Sequence, residues 1–247
     1  MAELVGAFAT SHTPVMLNLP DALSEADRNT IYRHFQQLGK SLAALKPDTV
    51  VVVSDDHLHH FFLDNFPAFC IGTGDAYPAP AEHWLRAERQ TLKGDSRLGA
   101  HLLGEALAAD FDPSFSMQLT LDHGVLTPLI LADLAASVTL VPLLINCVQP
   151  PMPTMSRCLQ WGRFIGEAIR SYPGNSRIVI LATGGISHDV ATPRMGMVNE
   201  AGNGAEEIRN WMVAHGAAKG AAFHVHFYKA VPSWYTGIAL VEWRLRE

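Results

Sequence analysis

Hydrophobic and polar positions along the chain follow two different periods. Leu4-Val5-Gly6-Ala7-Phe8-Ala9 and the β-branched run Thr49 to Val53 are continuously apolar, the mark of strands buried on both faces of a sheet. Val138 to Ile145 and Arg177 to Ala182 have the same character, Phe66 to Ile71 reads as a shorter strand, and Trp234 to Trp243 as a closing one. Between them the period lengthens. From Ser24 to Leu45 the residues Tyr32, Phe35, Leu38, Leu42 and Leu45 recur at helical spacing, and Pro47-Asp48 stops the helix. Leu98 to Asp110, Gly124 to Ala136, Met155 to Ser171 and Glu206 to His215 read as further helices. Apolar strands alternating with helices predict an α/β fold, with a central mixed β-sheet flanked by helices on both faces. Strongly patterned segments flank the Pro-rich stretch Val148 to Pro153, so it reads as a loop, and 1–247 reads as a single domain.

Composition narrows the class of function. The 247 residues are 48% hydrophobic and 17% charged, which suits a sizeable core and argues against disorder. The 18 basic and 24 acidic residues are spread along the chain without a basic run, which speaks against a nucleic-acid partner. Met1-Ala2-Glu3-Leu4 lacks the pattern of a signal peptide, and no apolar stretch approaches the roughly 20 residues that cross a bilayer. Cys70, Cys147 and Cys158 are too few and too scattered for a disulfide framework. The expectation is a reduced, cytoplasmic protein with no membrane partner. Twelve histidines, however, are many for such a chain and direct attention to metal chemistry.

Three polar clusters follow directly on the C-terminal ends of expected strands: Ser11-His12, Asp55-Asp56-His57 and Ser187-His188. Open α/β sheets place their ligand crevice there. A fourth, Leu121-Asp122-His123-Gly124, opens a helix. A lone histidine in such a loop is more often a hydrogen-bonded structural residue, but three at equivalent strand ends converge in space. Imidazole serves both as a metal ligand and as an acid or base near neutrality. His59 and His60 follow His57 so closely that at least one must point away from a shared site. His34, His83, His101 and His215 read as solvated surface residues, and His224 and His226 share one face of a strand without an evident third ligand. Two histidines and one carboxylate would suit an iron(II) oxygenase, but spacing alone does not choose among 24 acidic residues.

The chain resembles the class III extradiol ring-cleavage dioxygenases, the superfamily of the protocatechuate 4,5-dioxygenase catalytic subunit and of the 2,3-dihydroxyphenylpropionate 1,2-dioxygenases. The resemblance is carried by Ser11-His12-Thr13-Pro14, Asp55-Asp56-His57, Phe61-Phe62 through Phe69-Cys70-Ile71-Gly72, and Leu121-Asp122-His123-Gly124 with Thr127-Pro128-Leu129. Thr183-Gly184-Gly185-Ile186-Ser187-His188, Glu207-Ile208-Arg209-Asn210-Trp211 and the tail from Phe227 to Gly237 complete it, all in family order. It implies Fe(2+) held by His12, His57 and Glu207, His188 as catalytic acid/base, and His123 as a second catalytic histidine. It further implies substrate contacts from Asp56 and Tyr235, a catechol-type substrate with O2, and a homo-oligomer with room for a small partner subunit. Glu206 competes with Glu207, but neighbouring helical residues diverge by about 100°, so only one can face a metal. The spacing of Glu207 to Trp211 fits the family.

The chain also departs from the family. Members usually carry a few dozen more residues between the segment matching Arg194 to Asn199 and the helix with the glutamate, and here Asn199 to Gly204 simply joins them. Three other readings stay open at this point: a zinc hydrolase, since His/His/Glu is equally a zinc set; a non-catalytic member of the superfamily; and the same iron chemistry on an aminophenol ring.

Overall fold

A computed structural model describes residues 1–186 and 203–245. Strands β1 (Glu3–Thr10), β2 (Thr49–Ser54), β7 (Thr139–Ile145) and β8 (Arg177–Thr183) form the middle of one ten-stranded sheet. The other strands are β3 (Phe69–Gly72), β4 (Ala76–Ala79), β5 (Gln90–Gly94), β6 (Ser114–Ser116), β9 (Ala222–Val231) and β10 (Thr236–Arg244). The order is β4-β5-β7-β2-β8-β1-β10-β9, with β3 pairing β7 and β6. β7, β2, β8 and β1 run parallel, whereas β10 is antiparallel to β1 and β9 to β10. The sheet is therefore mixed, as the alternation of strands and helices predicts.

Alternation along the strands divides the core between the two faces. Val51, Val53, Ile178, Ile180 and Ala182 join a core with helices α3 (Ser96–Ala108), α5 (Met155–Ser171) and α6 (Ile208–Ala217). Val50, Val52, Val179 and Leu181 face the opposite way, against α2 (Glu25–Ala44) and α4 (His123–Leu131). A short helix, α1 (Val15–Asn18), precedes α2 in the chain. Each long helix starts on a side chain that satisfies an otherwise orphaned backbone donor. Ser24 Oγ accepts from the Asp27 N–H, Asp95 from Leu98, and Thr154 from Arg157.

Element boundaries differ from expectation where a backbone detail intervenes. α4 ends at Leu131 rather than Ala136, with Ala132 as its C-cap and Asp133 at a left-handed φ of 58°. The last expected strand begins at Thr236, since Pro232–Trp234 form a 3-10 turn. β4, β5 and β6 escape the periodicity because they are three to five residues long and only partly buried.

The topology positions the chemistry. β8 lies between β2 and β1, and all three run in the same direction. Their last residues, Ser54, Thr10 and Thr183, bring the following loops together at one edge, and Thr10 is paired with Thr183.

Candidate metal centre

His12 leaves β1 by one residue of connection and is buried. Its ring Nδ1 lies 3.2 Å from Thr183 Oγ1, whose hydroxyl donates to Ser54 Oγ at 2.9 Å. With that hydroxyl hydrogen spent, Thr183 accepts from the His12 Nδ1–H, which leaves the Nε2 lone pair unprotonated in the neutral ring. Nε2 lies 2.8 Å from Glu207 Oε2 without a well-formed hydrogen bond among the described residues. An imidazole lone pair facing a carboxylate oxygen requires a proton or a metal ion between them. Burial pushes the His12 pKa down, but Glu207 and Asp55 pull it up further, and the net direction is upward.

His57 follows β2 and is oriented by Asp122, the N-cap of α4. One oxygen, Oδ2, accepts the backbone N–H and the ring Nδ1–H of His57, both at 2.9 Å, and Oδ1 accepts from Gly124. His57 Nε2 is left 3.2 Å from Asp55 Oδ2 and 3.7 Å from Glu207 Oε1. Burial lowers the His57 pKa, but Asp55 and Asp122 raise it well above the ordinary value. His57 in turn holds Asp122 far below the usual carboxylate range against the effect of burial.

Glu207 ends a 3-10 turn, Asn203–Glu207, and is the N-cap of α6, but its side chain does not cap the helix. The carboxylate instead faces His12 and His57, and Oε2 accepts the Gly185 N–H. Trp211 ties α6 to the end of β8 by donating Nε1–H to Gly184 O at 3.3 Å. Glu206 diverges as adjacent residues must, and pairs with Arg209.

Asp55 is not marked as a site residue by the sequence, where it stands directly before Asp56 and His57 with nothing of its own to set it apart. It is fully buried, Oδ1 accepts from Asn210 Nδ2 at 2.9 Å, and Oδ2 takes no hydrogen bond among the described residues. Burial, opposed by His57, raises its pKa to about 6. His12, Asp55, His57 and Glu207 offer donor atoms all within 4.8 Å of one another. Two imidazoles and two carboxylates fit a divalent cation by charge and donor type.

His123 opens α4 and is buried beside this group, its ring centroid 4.1 Å from that of His57 and 5.7 Å from that of His12. Its backbone N–H and ring Nδ1–H both reach Glu82 Oε1, at 3.0 and 2.5 Å. Burial and the neighbouring His57 push its pKa down to about 4, so the ring is neutral near pH 7. Glu82 was not anticipated from sequence, since it lies 41 positions away in a turn whose course no local pattern announces. That turn is tied to the start of α4 by Ala81 N–H to Leu121 O at 2.9 Å.

The remaining expected residues fare differently. The Asp56 carboxylate accepts the backbone N–H groups of His59, His60 and Phe61, which shapes the turn after His57. Tyr235 is 74% exposed, at a left-handed φ of 52° between β9 and β10, and makes no hydrogen bond to the metal group among the described residues. His188 lies outside the described residues. Among the described residues no helix is long and apolar enough to cross a membrane.

A parallel-stranded edge carrying a largely buried His/His/carboxylate group that could hold a metal ion places the chain among α/β proteins with a candidate metal site. The chain belongs to the family of the catalytic LigB subunit of aromatic ring-opening dioxygenases, whose pattern matches residues 6–200. It is 31% identical over 196 residues to a 2,3-dihydroxyphenylpropionate/2,3-dihydroxicinnamic acid 1,2-dioxygenase of Photorhabdus laumondii subsp. laumondii. That match covers 78% of this chain but only 59% of the relative. A protein of the same name from Cupriavidus necator is 26% identical over 318 aligned positions, which cover 93% of this chain and 95% of the relative. Since 318 positions exceed the chain's 247 residues, that relative carries segments this chain lacks. The crystal structure of the uncharacterized protein JW3007 from Escherichia coli K12 shares the fold, with a TM-score of 0.64, 17% identity, and coverage of 96% of this chain and 99% of that one.

Proposed function

We propose that this chain is a non-haem Fe(2+)-dependent extradiol dioxygenase that cleaves a catechol-type ring with O2, its catalytic domain spanning 1–247. The observation that carries the reading is the convergence of His12 Nε2, His57 Nε2 and the Glu207 carboxylate at the ends of β1, β2 and β8. An iron(II) ion in a 2-His-1-carboxylate set supplies Lewis acidity and one-electron exchange with O2. The protein supplies orientation and proton handling. Asp122 and Thr183 hold the two ligand rings by their Nδ1 positions, as hydrogen-bonding partners of metal-bound histidines do. Neutral His123, its Nδ1–H given to Glu82, offers the Nε2 lone pair to a phenolic hydroxyl. The Trp84 ring, 5.9 Å from that of His123, gives this side of the centre an aromatic wall. His188 takes the acid/base role by family likeness. The partners that follow are a small aromatic substrate and O2, in a homo-oligomeric cytoplasmic protein.

The nearness of Asp55 favours one second reading, a redox-inert zinc site, because a second carboxylate neutralises a divalent ion outright. Anaerobic reconstitution with ferrous iron, followed by oxygen-electrode assays on a panel of substituted catechols and aminophenols, decides between them. Oxygen uptake with a yellow ring-fission product is expected. Full iron loading without uptake on any ring would refute the dioxygenase reading, as would equal turnover with zinc.

A further inference from the structure

Glu82 presents an arrangement that the His12, His57 and Glu207 centre does not use. Its side chain is completely buried, and Oε1 lies 2.5 Å from His123 Nδ1 and 3.3 Å from His59 Nε2. Its other oxygen, Oε2, is buried and without a hydrogen-bond partner among the described residues. No lysine or arginine pairs with it among the described residues. Buried carboxylates are normally paired or bound to a metal ion. A charged oxygen left over in the interior, next to two imidazoles, is the donor set of a borderline transition cation.

The backbone holds this grouping in place at some cost. Leu58 adopts a left-handed φ of 62°, disfavoured for a residue with a bulky side chain. Asp56 secures the turn through the N–H groups of His59, His60 and Phe61. The result brings the His59 ring to Glu82, while His60 packs its ring edge-on against Phe61, 4.9 Å between centroids. Local strain of this kind persists where the surrounding structure over-determines it, which is common at functional sites.

We propose that His59, Glu82 and His123 form a second site, for a divalent first-row transition cation, beside the centre at His12, His57 and Glu207. The three side chains offer donor atoms within 4.8 Å of one another. His123 is shared, since His12, His57 and His123 also form such a group. An ion held on Nδ1 would replace the proton that Nδ1 now gives to Glu82, and the neutral ring would then carry its proton on Nε2. Three protein ligands leave coordination positions open. The His59 side chain is 26% exposed and gives the ion a way in from solvent, unlike the 2% exposed His12 of the first centre. Occupation would fix the His123 ring and couple its hydrogen bonding to metal supply.

The proposal does not require ring cleavage and is tested by counting ions. Metal-stripped wild type, His59→Asn, Glu82→Gln and His12→Asn are equilibrated with zinc(II) alone, and bound zinc per chain is measured by elemental analysis after dialysis. His59→Asn and Glu82→Gln should each bind one zinc fewer than wild type, and should retain the zinc that His12→Asn loses. Wild-type stoichiometry in His59→Asn, verified as folded by its melting curve, overturns the second site whatever Glu82→Gln does, because His59 is partly exposed and its replacement leaves the core intact. Wild-type stoichiometry in His12→Asn would instead remove the primary centre, so the two failures are distinct.

Discussion

Asp122 and His57 are joined through a single oxygen: Oδ2 of the aspartate accepts both the backbone and the ring N–H of the histidine at 2.9 Å. The same carboxylate caps α4 through Gly124. One side chain thus locks the start of a helix, the course of the loop after β2, and the direction in which His57 Nε2 points.

Asp122→Asn should therefore leave the fold in place and loosen the metal. The amide keeps the volume, but cannot serve both His57 N–H groups with a charged acceptor. Losing such a partner typically lowers metal affinity about 10- to 100-fold. Chelator competition with ferrous iron measures this directly, and an unchanged affinity would show that His57 is oriented by its surroundings alone.

The parts of this arrangement that were legible in the sequence are those with a local signature. His12 and His57 follow runs of buried β-branched and apolar residues, and the topology of parallel strands makes such ends converge. Glu207 came from a family likeness, since nothing in its own spacing sets it apart from Glu206. Asp55 and Glu82 were illegible for different reasons. The role of Asp55 depends on Asn210, 155 positions away, and that of Glu82 on the path of a turn stabilised only by tertiary contacts. Asp56 is a different case: it stands beside His57 in sequence, and its oxygens accept backbone N–H groups that only the folded turn presents.

Asp55→Asn should separate stability from metal binding. In the metal-free state a fully buried carboxylate is held against His57 and Glu207, with burial raising its pKa to about 6. Replacing it with the isosteric amide removes a desolvated charge and keeps the Asn210 contact. The metal-free melting temperature should rise by roughly 2 to 4 °C, the response of a domain this size to about 1 kcal/mol. Affinity for a divalent ion should fall at least tenfold. A variant that binds metal as tightly as wild type would place Asp55 outside the coordination sphere.

The cysteines give a pH prediction independent of the metal. Burial pushes the Cys70 thiol up to about 12, Cys158 to about 11, and Cys147 well above its ordinary value. Thiolates are the reactive form, so folded protein at pH 8 should resist alkylation, whereas denaturant should expose three fast thiols. The linkage has a definite sign. Each folded value exceeds the unfolded value of about 9, so the stability is fully present below pH 9. It is lost as the pH rises beyond that, because the unfolded chain ionises first. Denaturant melts at pH 7, 9 and 10.5 should show this decline, and replacing Cys70 with Ala should flatten it. Rapid labelling of the folded protein at pH 8 would contradict the burial of these thiols.

Gly162 tests whether the metal centre depends on packing that touches none of its ligands. α5 and α6 meet so closely that a methyl group at Gly162 would stand 2.2 Å from Val213 O and 2.8 Å from Val213 Cα. These are backbone atoms of α6, which no side-chain rotation can move aside. Gly216 of α6 makes the reciprocal approach, 2.5 Å from Leu159 O. Because Glu207 is the N-cap of α6, a shift of that helix away from α5 carries the carboxylate with it. The Trp211 bond to Gly184 and the Asn210 bond to Asp55 would be strained by the same movement. Overpacking of this sort costs about 1–3 kcal/mol, so Gly162→Ala should melt several degrees lower. It should also bind ferrous iron more weakly, although residue 162 belongs to α5 and an added methyl there meets Val213 rather than any candidate ligand. Gly104→Ala on α3, where an added methyl meets nothing within 4 Å, is the control: it should leave iron affinity unchanged and, by removing a glycine from a helix interior, raise the melting temperature rather than lower it. A lower melting temperature with unchanged iron affinity in Gly162→Ala would show that the loop bearing Glu207 holds its position without the helix behind it.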